Sequence, residues 1–135
     1  MRTWDQRSLR SMTGIHPDLR RVLDRALQEA PFAFIVTEGL RTIERQRELV
    51  RVGASKTLNS RHITGHAIDL VPFVDVDKDG KVETEEMYSW PLYHRLAPAI
   101  KAAAAKENVA LVWGGDWRTF KDGPHWELDR RKYPA

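Results

Sequence analysis

The hydrophobic period of this chain changes at Pro31, and that change sets most of what the chain can fold into. Before it, Leu19, Val22, Leu23 and Leu27 recur at helical spacing across "HPDLRRVLDRALQEAP", with Pro17 suited to a first helical turn. After it, "FAFIVTEG" is rich in aromatic and β-branched residues and predicts a strand. The alternation then continues. "TIERQRELVRVG" predicts a second helix closed by Gly53, and "HAIDLVPFV" a second strand. "TEEMYSWPLYHRLAPAIKAAAAKEN" is mostly helix, with Pro91 and Pro98 expected to break or kink it. "VALVWGG" and "PHWEL" predict two more strands. The order implies an α+β fold in which helices cover a small antiparallel sheet. A chain of 135 residues is expected to form one domain, spanning 1–135, with a core that needs no staples.

Composition removes several classes of chemistry. The sequence has no cysteine, which excludes disulfides, thiolate ligands and a cysteine nucleophile, so any metal must be held by nitrogen and oxygen. "MRTWDQRSLR" has no apolar core of a secretory signal, and no apolar run is long enough to span a bilayer. The expectation is a soluble chain made in the cytoplasm, without stable membrane insertion. The formal net charge is +3, with basic residues spread over Arg20 to Arg25, Arg41 to Arg51 and Arg130 to Lys132. That suits either an anionic partner or a solvated surface. No nucleic-acid motif accompanies it, and no nucleic-acid partner is expected.

Two clusters lie back to back in "SRHITGHAIDLVPFVDVDKDGKVETEE", from Ser60 to Glu86. The first has zinc-type ligands. His62 comes from a loop, Asp69 from the following strand, and His125 stands at the head of the last strand. A His–Asp–His set with an open position follows if those two strands are neighbours. Spacing alone leaves His66 as a competing ligand.

The residues also carry a resemblance. "SRHITGHAID" resembles the SxHxxGxAxD motif of zinc peptidases that act on D-amino-acid bonds in peptidoglycan. "DGPHWE" is similar to their second motif, an acidic residue three before a histidine. "EGLRT" and "WGGDW" resemble two further landmarks in the right order. The family is that of the D-Ala-D-Ala carboxypeptidases and dipeptidases and the phage L-alanyl-D-glutamate endolysins, which shares a fold with the hedgehog signalling domain. The resemblance implies that His62, Asp69 and His125 hold zinc. It places Asp122 as the acid–base that takes a proton from water and passes it to the leaving amine. It places Arg41 as the group that polarises the scissile carbonyl, and Ser60 as a substrate hydrogen bond. Asp116 reads as a turn residue rather than a partner of a ligand. His66 departs from the motif and is expected to point elsewhere near the cleft.

The second cluster, "DVDKDGKVETEE" at 75–86, fits the calcium-loop pattern D-x-[DN]-x-[DN]-G-x5-E. Asp75, Asp77 and Asp79 would give side-chain oxygens, Lys81 its carbonyl and Glu86 a bidentate carboxylate, with Glu83 as an additional donor. The preceding strand means that this is an EF-hand-like loop set into another fold. The alternative is an acidic surface loop.

Together these features imply a monomeric zinc peptidase of the peptidoglycan stem peptide, cutting the L-alanyl-D-glutamate bond as a phage endolysin does, with calcium switching it on. It would be made in a host cytoplasm and act on the periplasmic wall once the membrane opens. The rivals are a D-amino-acid carboxypeptidase, or a non-catalytic metal-binding module.

Overall fold

The sequence periods become the elements of a computed structural model, which describes residues 1–134. A short helix α1 (Gln6–Ser11) precedes α2 (Pro17–Glu29), β1 (Phe34–Glu38) and α3 (Ile43–Arg51). Then follow β2 (Ala67–Pro72), α4 (Thr84–Met87), α5 (Trp90–Lys106), β3 (Leu111–Trp113), a single 3₁₀ turn (Gly114–Asp116) and β4 (His125–Leu128). The strands form one antiparallel sheet in the order β1-β2-β4-β3.

The sheet has two different faces because side chains alternate along each strand. One face carries Phe34, Val36, Ile68, Leu70, Trp126 and Leu128, all buried. Against it lie α2, through Leu19, Val22, Leu23 and Leu27, and α5, through Leu92, Leu96 and Ile100. Each such side chain contributes about 1.5–3 kcal/mol on burial, so this face fixes the strand register. The opposite face carries Asp69 on β2 and His125 and Glu127 on β4.

Register then does the positioning. Asp69 lies directly opposite His125 across β2 and β4. On the other side, β1 pairs Val36 with Leu70 and then Glu38 with Asp69, so one residue is extra between Val36 and Glu38. This bulge turns Glu38 from the core face to the face of Asp69.

Two local expectations are corrected. Pro91 does not break the third long helix; it sits in the first turn of α5, after the N-cap Ser89, whose side chain accepts from Leu92 N. The break falls just before it, where α4 ends at Tyr88. Pro98 is inside α5, which continues through it. Pro98 faces solvent, where the unpartnered carbonyl of His94 can meet water, while buried Leu96, Ala97 and Ile100 hold the helix on the core. Helix α1 carries no apolar period to announce it; it is fastened by buried Ser8, whose hydroxyl accepts from Val36 N at 2.9 Å.

Candidate metal centre and its cleft

His62, Asp69 and His125 each turn a ligand atom to one point on the outer face of the sheet. Asp69 Oδ1 lies 3.4 Å from His62 Nε2 and 3.4 Å from His125 Nδ1. His62 Nε2 and Asp69 Oδ1 are buried with no hydrogen-bond partner among the described residues. A buried acceptor left in that state costs about 1–3 kcal/mol. Two such atoms facing one point, beside a third nitrogen, are satisfied together by a cation, so the donor set fits zinc.

The other nitrogen of each histidine is held from behind. His62 Nδ1 donates to the Gly39 carbonyl at 2.8 Å, which leaves Nε2 as the free lone pair. Gly39 admits no side chain here, because a Cβ would lie 1.9 Å from the Ser11 carbonyl oxygen. His125 Nε2 donates to Glu127 Oε1 at 2.8 Å, which leaves Nδ1 for the centre. Glu127 is buried, and its other oxygen accepts from Arg130 Nε at 3.5 Å. Sequence reasoning passed over Glu127. The signal was present: in "HWEL" as a strand, residues two apart share a face.

The electrostatics are dominated by this packing. Burial by itself would raise the Asp69 carboxyl, but the neighbouring imidazoles of His125 and His62 outweigh it and hold the carboxyl well below its usual range. Burial disfavours charge on His125, yet Asp69 and Glu127 prevail and raise its imidazole to about 9. The centre is therefore a place where positive charge is favoured.

A cleft of about 680 Å³ opens onto these ligands and is also lined by Arg41, Ser60 and Asp122. Asp122 is delivered by the loop after the 3₁₀ turn. Its N–H donates to the Gly114 carbonyl at 3.1 Å, and its carbonyl accepts from His125 N at 3.2 Å. Gly114 has no room for a side chain: a Cβ would stand 2.4 Å from the Asp122 carbonyl oxygen. Burial, and next the charge of Asp69, push the Asp122 carboxyl up.

Arg41 is more committed than the sequence suggested. Nε and Nη2 donate to the two oxygens of Glu38, each at 2.8 Å, and Nη1 donates to Gln46 Oε1 at 2.6 Å. Of five guanidinium N–H groups, two are left for a substrate. Gln46 is fully buried and also donates to Ser55 Oγ and the Thr57 carbonyl, tying Arg41 to the cleft wall. Nothing in the sequence marks Gln46 as the buried residue of α3. The Ser60 hydroxyl accepts from His62 N at 3.2 Å.

His66 points away from the His62–Asp69–His125 point. Its ring packs near His16, with centroids 5.5 Å apart, and its Nδ1 meets Thr64 Oγ1 at 2.7 Å. Gly65, immediately before it, takes a left-handed φ of +77° and turns the chain so that Asp69, not His66, shares the point with His62. Asp116 ends the 3₁₀ turn and pairs with Lys101 Nζ at 2.7 Å.

The Asp75–Glu86 loop gathers its carboxylates in two overlapping triads, Asp75–Asp77–Glu86 and Asp77–Asp79–Glu83. Much of this carboxylate oxygen is turned onto the loop's own backbone. Asp75 Oδ2 accepts from Gly80 N at 2.7 Å, and Asp79 Oδ1 accepts from Lys81 N at 2.9 Å. Glu86 accepts from Glu83 N at 2.9 Å and from Val76 N. Hydrogen bonding with Asp79, then with Glu86, pushes the Glu83 carboxyl up to about 8.

Comparison with known proteins places this geometry. A family model described as phage L-alanyl-D-glutamate peptidase matches residues 2–133. The L-alanyl-D-glutamate peptidase of Escherichia phage T5 is 28% identical, over 93% of this chain and 88% of that protein. The peptidoglycan L-alanyl-D-glutamate endopeptidase CwlK of Bacillus subtilis is 30% identical, over 86% of this chain and 74% of that protein. Among solved structures, the L-Ala D-Glu endopeptidase ChiX of Serratia marcescens superposes with a TM-score of 0.85 at 45% identity, over 96% of this chain and 92% of that chain. With nearly its whole length matched, and a His–Asp–His cluster on its sheet, this chain belongs to the phage L-alanyl-D-glutamate peptidase family.

Proposed function

We propose that this chain is one peptidase domain, with the 75–86 loop set into it, that hydrolyses the L-alanyl-D-glutamate bond of the peptidoglycan stem peptide. The observation that carries the reading is the pair of orphaned buried acceptors, His62 Nε2 and Asp69 Oδ1, beside His125 Nδ1. His62, Asp69 and His125 would hold zinc, which when bound supplies Lewis-acid polarisation and a more acidic water. The remaining work falls to the chain's own side chains. Asp122, its carboxyl raised by burial, takes a proton from the attacking water and delivers it to the D-glutamyl nitrogen. The bond from the alanyl carbonyl carbon to that nitrogen breaks, and the water oxygen stays on the carbonyl carbon. Arg41, clamped by Glu38 and Gln46, offers its two remaining N–H groups to the carbonyl oxygen. Ser60 steadies the His62 backbone and offers its O–H to substrate.

Digestion of purified peptidoglycan with zinc-loaded protein tests this reading. New amino termini on D-glutamate support it. Released D-alanine with the L-alanyl-D-glutamate bonds intact would replace it by a D-amino-acid carboxypeptidase.

We further propose that the 75–86 loop binds calcium through Asp75, Asp77, Asp79, Glu86 and the Lys81 carbonyl, with Glu83 assisting, and that this raises activity. The crowding that lifts Glu83 supports it, because a divalent cation relieves the same repulsion as a proton. Activity of zinc-loaded protein against calcium concentration is the test; a flat titration removes the switch. On this account a monomer suffices, since all the site residues come from one chain. No helix of the described residues is long and apolar enough to cross a membrane. We place synthesis in a host cytoplasm and action on the wall after the membrane opens.

A further inference from the structure

Two lysines at the mouth of the cleft carry charge that no carboxylate among the described residues answers. The Lys121 ammonium donates to the Trp117 carbonyl at 2.7 Å and to the Gly115 carbonyl at 3.3 Å. Those carbonyls fix its position but leave its charge uncompensated, and one of its three N–H groups remains free. Lys56, from the loop after α3, sits 5.4 Å from the centre of the Phe120 ring on the opposite lip. The other cations of the cleft are committed elsewhere. Arg41 is paired with Glu38, and Arg130 reaches Glu127. The Arg61 guanidinium donates to the carbonyls of Leu128 and Tyr133.

Lys121 is also in the right place. It directly precedes Asp122, and Trp117, whose carbonyl orients it, packs its ring 5.0 Å from that of His125. The segment that presents the acid thus presents a fixed cation as well. Phe120, in the same segment, is 72% exposed and takes a left-handed φ of +52°. That conformation is uncommon for a bulky side chain, and it carries the ring out to Lys56.

The bond in question has an anion on its leaving side. Whichever carboxyl continues the peptide, a glutamyl residue keeps one free carboxylate within a few bonds of the leaving nitrogen. We infer that Lys121, with Lys56 as an outer cation, forms the subsite for that free carboxylate. This inference rests on the peptidase reading above and deepens it: the enzyme selects for negative charge on the leaving residue. Lys121 acts on substrate choice and binding, while Asp122 moves the proton.

The test uses the zinc-loaded full chain and two muropeptides that differ only in the glutamyl residue, one with its free carboxylate and one with a carboxamide there. Wild type should favour the carboxylate in kcat/KM by about 10- to 100-fold, the worth of a charge-assisted hydrogen bond. Lys121→Gln keeps a donor for the Trp117 carbonyl and removes the charge; it should bring the ratio close to 1, mainly through KM. Lys56→Gln should lower the ratio less. Titration of the D-glutamyl product peptide, followed by tryptophan fluorescence, should weaken in parallel in Lys121→Gln. A wild-type enzyme that cuts both muropeptides equally, or a Lys121→Gln variant that keeps the preference, overturns the subsite and leaves the peptidase standing. A wild type that cuts neither overturns the peptidase reading, and product binding unchanged by Lys121→Gln then overturns the subsite as well.

Discussion

The His62–Asp69–His125 centre and the Asp75–Glu86 loop gather metal-type ligands only six residues apart, from Asp69 to Asp75, yet they are built in opposite ways. The centre draws His62 and Asp69 from a loop and the strand that follows it, and His125 from a strand far along the chain, with sheet register setting Asp69 opposite His125. Its ligands are backed by Gly39 and Glu127, and two of its acceptor atoms are buried without partners. The loop would draw every ligand from one continuous stretch, and its carboxylates accept from its own backbone N–H groups. The first is a desolvated site whose orphaned atoms favour a cation. The second already closes on itself, so a cation there competes with hydrogen bonds and with water. On the proposed reading, that difference makes the first metal tight and constitutive and the second weaker and exchangeable.

The largest effect should come from the reacting group of the first region. Asp122→Ala should lower kcat by about 10²–10⁴-fold while zinc content, measured by elemental analysis, stays at the wild-type level. Loss of zinc together with activity would mean that Asp122 holds the centre together rather than moving a proton. Next comes the support behind the ligands. Glu127→Gln should weaken zinc binding by about 10- to 100-fold in competition with a chelator. Unchanged affinity would make the His125–Glu127 contact incidental and erase much of the contrast with the loop.

The loop predictions are smaller. The double variant Asp77→Ala/Glu86→Ala should abolish any rise of melting temperature with calcium and leave zinc content unaltered. A calcium-dependent shift that survives would place the ion elsewhere. Protonation sharpens the point. Because the Glu83 carboxyl is raised from 4.5 to about 8, its contribution to loop closure is full below about 4.5 and is lost as pH rises through about 8. Amide exchange of residues 76–83 in calcium-free protein, corrected for intrinsic rates, should therefore speed up between pH 5 and pH 8. Saturating calcium should flatten that dependence.

What could be read from the sequence follows the same division. The loop's ligands sit at fixed offsets in one segment, so the pattern alone names them. The three zinc-type ligands were nameable because Gly65 and the strand alternation around Asp69 are local and because His125 heads the last predicted strand; the resemblance then pointed to the same three. The pairing of β2 with β4 could be written only as a condition, since register is a tertiary property. The supports were less legible. Glu127 was implied by strand alternation and overlooked. Glu38 reaches the site through a bulge that no residue in "FIVTE" announces. Gln46 looks like any polar residue of a solvated helix until the loop over 53–57 closes on it. Pro91 illustrates the reverse error: proline is a helix breaker in the interior and a helix starter in the first turn, and only the break at Tyr88 decides which.

The most direct test of the central claim is anomalous diffraction at the zinc edge from crystals of the protein loaded with both zinc and calcium. The account predicts one zinc peak, at about 2.0–2.2 Å from His62 Nε2, Asp69 Oδ1 and His125 Nδ1, and none in the 75–86 loop. Zinc in the loop, or on His16 and His66 with the His62–Asp69–His125 point empty, would contradict it.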